Sequence, residues 1–163
     1  MNGLHCLTLL CALISLVLHL FALASDHWQY AYDAHSGLWQ ECIGTKCSMR
    51  GADVKGYLHT TRAFMVIGMF LGSLSYFLLC AMFFYTQSAY YCLAKNAASL
   101  SYAAGICSII GMATYTASVT SDSYGWSFDV GWASFPLFFI TEQQRCARWH
   151  TIAEMRLTEC SLP

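Results

Sequence analysis

Trp28-Gln29-Tyr30-Ala31-Tyr32-Asp33-Ala34-His35-Ser36-Gly37-Leu38-Trp39-Gln40-Glu41-Cys42-Ile43-Gly44-Thr45-Lys46-Cys47 is the stretch on which the fold turns. It is polar enough for water, yet it stands between two long apolar runs, residues 3–24 and 63–85. Over residues 27–33 the aromatic Trp28, Tyr30 and Tyr32 alternate with Gln29 and Ala31, the period of a strand with one aromatic face. Ser36-Gly37 reads as a turn and residues 38–42 as a second strand; Ile43-Gly44-Thr45-Lys46 then reverses the chain into Cys47. The expectation is a small antiparallel sheet at a membrane surface. Indoles also gather at the headgroup level, so periodicity leaves open whether Trp28 and Trp39 grip lipid or protein.

Outward from this loop the chain is apolar. Residues 3–24 are long enough for a hydrocarbon core of ~30 Å at ~1.5 Å per residue. Ala22-Leu23-Ala24 before Ser25 resembles a signal-peptidase site, but residues 1–6 carry no Lys or Arg, and a retained span is the reading adopted. Residues 63–85 hold no charge, and residues 97–119 form a softer third run rich in Ala, Ser, Thr and Gly. Gly68 with Gly72, and Ser101 with Gly105, have the small-xxx-small spacing that lets helices approach closely in lipid. The fourth run, from residue 130, reaches only about 18 Å as a helix by Thr141, or about 24 Å if it starts at Trp126. That extension brings in Asp129, and an acid at a span centre costs ~3 kcal/mol. From Glu142 the chain is polar. The sequence thus divides into a membrane domain, residues 1–141, with spans at about 3–24, 63–85, 97–119 and 126–141 and a loop at 25–62, and a divergent tail, residues 142–163.

Composition agrees. Of the 163 residues 57% are hydrophobic and 10% charged, against roughly 25% charged in soluble chains. A net charge of −1 gives no basic footprint for nucleic acid. Four Lys or Arg on each side of the expected topology leave the positive-inside rule silent. Cysteines decide sidedness instead. Of nine, only Cys42 and Cys47 share one polar loop. A bridge between them needs an oxidising compartment, which puts the loop outside and the amino terminus in the cytosol; two free thiols facing the cytosol are the alternative. So short a ring stabilises by roughly 2 kcal/mol.

Trp28, then Gly37-Leu38-Trp39, then Cys42 and Cys47 between the first two spans resemble the marks of the claudin, peripheral myelin protein and epithelial membrane protein superfamily. The short cysteine spacing departs from claudins proper and is nearer the lens fibre intrinsic membrane protein and natural killer cell granule protein branch. Residues 57–65 and Ala34-His35-Ser36-Gly37-Leu38-Trp39 are similar to that branch, and Tyr124-Gly125-Trp126-Ser127-Phe128 with Gly131-Trp132 to the family's entry into its fourth span. The resemblance implies a left-handed four-span helical bundle under a small extracellular antiparallel sheet, with the fourth span here truncated or atypical. It makes Trp28, Gly37, Leu38 and Trp39 the loop motif. It also makes Arg62 the anchor of loop to span, its guanidinium bonding loop carbonyls; snorkelling to headgroups is the alternative.

Function follows as expectation. The first reading is a structural multi-pass protein of cell–cell or membrane–membrane contact, at the plasma membrane and its junctions. Its partners are the bilayer and copies of itself in cis or trans, or another membrane protein. The alternative is an accessory or trafficking subunit of a larger membrane protein, or of secretory or lysosomal granules. No cofactor, nucleic acid or small-molecule substrate is expected. Thiol redox catalysis favours a Cys-x-x-Cys pair, which the chain lacks, so no enzyme is expected. His27, His35 and His59 match no structural zinc spacing, and a disulfide would consume the nearby thiolates. His19, inside the first span, reads as a polar contact between helices, and Cys92, beside Tyr90-Tyr91, as a palmitoylation candidate.

Overall fold

The computed structural model describes residues 3–51, 54–82, 87–119 and 123–140. Among them run α1 (Gly3–Ala24), four strands, α2 (Gly56–Ala81), α3 (Gln87–Ser118) and a fourth helix, α4, over residues 126–140. The first three helices are long and apolar enough to cross a membrane. The described part of α4, 15 residues, rises about 22 Å.

Two of the helices begin well before their charge-free runs, α2 at Gly56 rather than 63 and α3 at Gln87 rather than 97. The apolar run marks what lipid covers, whereas a helix satisfies its own backbone in water or lipid alike. α2 closes at Ala81; residues 83–85 of the expected second span, Thr141 of the fourth, and the tail from residue 142 lie outside the described residues. Asp129 is exposed on the first turn of α4, so starting that helix at Trp126 packs no charge against the other helices.

Inside the bundle the helices are joined by hydroxyls donating to backbone carbonyls of their neighbours. Ser75 Oγ reaches Ala97 O at 2.6 Å, Thr61 Oγ1 reaches Gly111 O at 3.2 Å, Ser15 Oγ reaches Ser134 O at 2.9 Å and Ser101 Oγ reaches Phe138 O at 3.2 Å. The last two hold α4. His19 sits fully buried at the centre of this network. Its Nε2 lies 2.9 Å from Met65 O; a carbonyl only accepts, so that nitrogen carries the proton. Nδ1 faces Ser108 Oγ at 3.2 Å and Ser134 Oγ at 3.5 Å. One imidazole therefore touches all three other helices.

The small residues work as slots. A Cβ on Gly68 would stand 3.3 Å from Ala104 O of α3; one on Gly72 would meet the Phe138 ring at 2.9 Å, and one on Gly105 the Phe139 ring at 3.1 Å. Gly72 and Gly105 thus receive the aromatic end of α4.

Above the helices lies one antiparallel sheet in the order β1 (Gln29–Ala31), β2 (Ala34–Ser36), β3 (Gln40–Ile43), β4 (Lys46–Met49). The single strand expected over residues 27–33 is not there. Its pattern is broken at Tyr32, which takes φ 47° and turns the chain with Asp33, so that Ala31 pairs with Ala34. A common aromatic face is lost: Trp28 is fully buried and Tyr32 fully exposed. The expected four-residue reversal is also shorter. Ile43 pairs with Lys46, leaving Gly44-Thr45 as the loop, with Gly44 at φ +59° as a tight hairpin turn requires.

Candidate functional site

The site is the sheet together with the helix ends on which it sits. A helix leaves its last carbonyls without partners, and α1 ends beneath the sheet. Phe21 O accepts from the Ser25 backbone at 3.0 Å, Ala22 O from the Trp28 indole N–H at 2.7 Å, and Leu23 O from the Trp39 indole N–H at 2.8 Å. The two tryptophans of the motif are thus capping groups for α1. Trp28 is no headgroup anchor; its ring packs edge-on against Tyr115 of α3 at 4.8 Å and Phe128 of α4 at 6.1 Å. Trp39 keeps 39% of its surface exposed and lies 4.9 Å beneath the Arg62 guanidinium.

Arg62, on the second turn of α2, supplies the other clamp. Its Nε donates to Leu38 O at 2.7 Å and its Nη2 to Arg50 O at 3.4 Å, and it is 8% exposed. The side chain turns into the loop rather than out to headgroups. Leu38 itself is fully buried beside Trp28 and Leu58. Gly37 lets this happen, since a Cβ there would collide with the Asp26 backbone and the Ser25 carbonyl. Gly37→Ala is expected to lower stability by about 1–3 kcal/mol, because backbone must move to make room. Thermal unfolding of the purified protein in detergent checks this.

Cys42 and Cys47 form a disulfide between directly paired residues of β3 and β4. Cys42 is buried and Cys47 exposed. On the same hairpin Arg50 pairs with Glu41 at 3.2 Å. The connection between α3 and α4 joins the other edge: Gln29 bridges Tyr124, and Gly125 N–H donates to Trp28 O at 2.9 Å. Tyr124 stacks on Phe128 at 4.2 Å.

Sequence reasoning missed Asp26. Its carboxylate lies between two imidazoles, with Oδ1 against His27 Nδ1 and Oδ2 3.3 Å from His35 Nε2. Burial alone would raise this carboxyl, but the His27 hydrogen bond, a backbone hydrogen bond and the nearby imidazole charges outweigh it and hold it below the ordinary carboxylate value. The ionised form is therefore the folded one. Its contribution is present above the ordinary carboxylate range and is lost as pH falls through the lowered value. The sequence signal was an Asp-His pair directly before Trp28. His59 is exposed on α2 and is not one of the Asp26, His27 and His35 group. Cys92 falls within α3, and its side chain lies outside the described residues.

Known proteins are similar to this chain in sequence. The family model described as PMP-22/EMP/MP20/Claudin matches residues 3–141. The chain is 30% identical to the lens fiber membrane intrinsic protein of Rattus norvegicus over 145 residues, covering 80% of this chain and 83% of that one. Protein NKG7 of Mus musculus is 29% identical over 144 residues, covering 81% and 83%. Claudin domain-containing protein 2 of Mus musculus is 26% identical over 131 residues, covering 78% and 76%. With its membrane-length helices and disulfide-bridged sheet, the chain is a membrane protein that belongs to the PMP-22/EMP/MP20/Claudin family.

Proposed function

We propose that this chain is a structural protein of membrane contact, working at the cell surface through the far end of its stapled sheet. The observation that carries the reading is where the two hairpin turns lie. Ala31, Ala34, Ile43 and Lys46 pair in one row, so Tyr32-Asp33 and Gly44-Thr45 turn at the same end of the sheet. Gly44 N–H donates to Asp33 O at 2.8 Å and ties the turns together. That tip carries Tyr32, fully exposed, and Ile43, 66% exposed. The opposite end is the one the helices hold, through Trp28, Leu38 and Arg62. Apolar side chains presented on a rigid support are what a protein contact needs.

Non-adherent cells expressing the chain are expected to aggregate. The double variant Tyr32→Ser with Ile43→Ser should reach the surface as well as the parent and lose aggregation. Single cells with abundant surface protein would overturn the reading; co-purification of another membrane protein from them would put the accessory-subunit role in its place. Replacing Cys42 and Cys47 with Ala removes roughly 2 kcal/mol from the hairpin. Faster amide exchange in β3 and β4, with weaker aggregation, is the expected result.

A further inference from the structure

We propose that Asp26, His27 and His35 form a binding site for a divalent transition-metal ion of the zinc type, tying the exit of α1 to β2. The site is independent of the contact reading. Asp26 and His27 leave α1 as consecutive residues, while His35 arrives on β2 opposite the bridged Cys42. The carboxylate presents one oxygen to each ring, and donor atoms of all three side chains lie within 4.8 Å of one another. Their side chains are 28–32% exposed, which gives an ion a way in. Trp126 and Tyr30 flank the His27 ring at 5.8 and 5.6 Å and wall the cluster on one side.

Two imidazoles and a carboxylate are a zinc donor set with one position left for water. Imidazole nitrogen selects zinc, copper or nickel over magnesium and calcium, which take oxygen ligands. Donors held ~2.0–2.1 Å from one ion stand about 3.3 Å apart, the separation already found between His35 Nε2 and Asp26 Oδ2. His27 has to back away from the carboxylate. The two rings, face to face at 4.6 Å and 20°, then turn about χ2 until their lone pairs converge. An ion binds a ring nitrogen through its lone pair, so the nitrogen that faces the carboxylate gives up its proton, either to the ring's other nitrogen or to solvent. The neighbouring group of His35, Cys42 and Cys47 is no rival, because both sulfurs are spent in the disulfide.

The test is titration of the full chain in detergent micelles with zinc chloride by calorimetry, with magnesium chloride as the control ion. One saturable zinc per chain is expected. His27→Gln and His35→Gln should each weaken it by roughly tenfold or more, while mass analysis shows the Cys42–Cys47 bridge intact and the loop therefore folded. Absence of saturable binding, an unchanged isotherm in the double variant, or equal displacement by magnesium overturns the proposal.

Discussion

Trp28→Ala is expected to cost about 3–5 kcal/mol, a large part of the ~5–15 kcal/mol that holds a typical domain together. The indole is fully buried, it fills the space between Tyr115 and Phe128, and its N–H occupies the Ala22 carbonyl at the end of α1. Truncation empties the cavity and orphans the carbonyl together. Trp28→Phe separates the two effects. It keeps most of the ring contact and leaves only the carbonyl unsatisfied, at about 1–3 kcal/mol. Denaturant titration in detergent, followed by near-ultraviolet dichroism, orders the proteins as parent, Phe and Ala. An Ala variant that unfolds with the parent would remove the indole from its place under the sheet.

Arg62→Ala should release the loop and leave the helices standing. The guanidinium is the group on α2 that meets Leu38 O and Arg50 O, and it covers the Trp39 ring. Losing a charged donor to a buried acceptor costs about 1.5–3 kcal/mol. Arg62→Lys should recover less than half, because a point charge cannot reproduce a planar group that bonds two carbonyls and lies on an indole. Hydrogen exchange distinguishes this variant from Trp28→Ala. Amides of residues 36–50 should exchange faster, with α1 and α3 unchanged. Uniform loss of protection through all helices would show that Arg62 supports the bundle as a whole.

The sequence carried some of this plainly and hid the rest for physical reasons. Three spans were legible because apolar length is a one-dimensional property, and the paired cysteines because no other two share a polar loop. The helix starts were not, since Gly56 and Gln87 precede the apolar runs and nothing in those runs records where backbone hydrogen bonding begins. The first strand was misread at Tyr32. Alternation there continues through a residue whose backbone is left-handed, and only pairing with β2 reveals the turn. The role of Trp28 lay beyond periodicity altogether, because it depends on Tyr115 and Phe128 arriving from distant helices. Asp26 escaped for a similar reason: its second imidazole, His35, comes from another strand. His19 stood out as a histidine deep in the apolar run of α1, but its partners Met65, Ser108 and Ser134 needed the bundle to be assembled.

We propose that the bridged sheet lies on the outer face of the membrane, clamped to the helix ends below it. Intact cells treated with a membrane-impermeant maleimide test it most directly, before and after an impermeant reductant. No label is expected on Cys42 or Cys47 at first, and label on Cys47 once the reductant is added from outside. Labelling of both thiols without reductant, and only after the membrane is permeabilised, would contradict it.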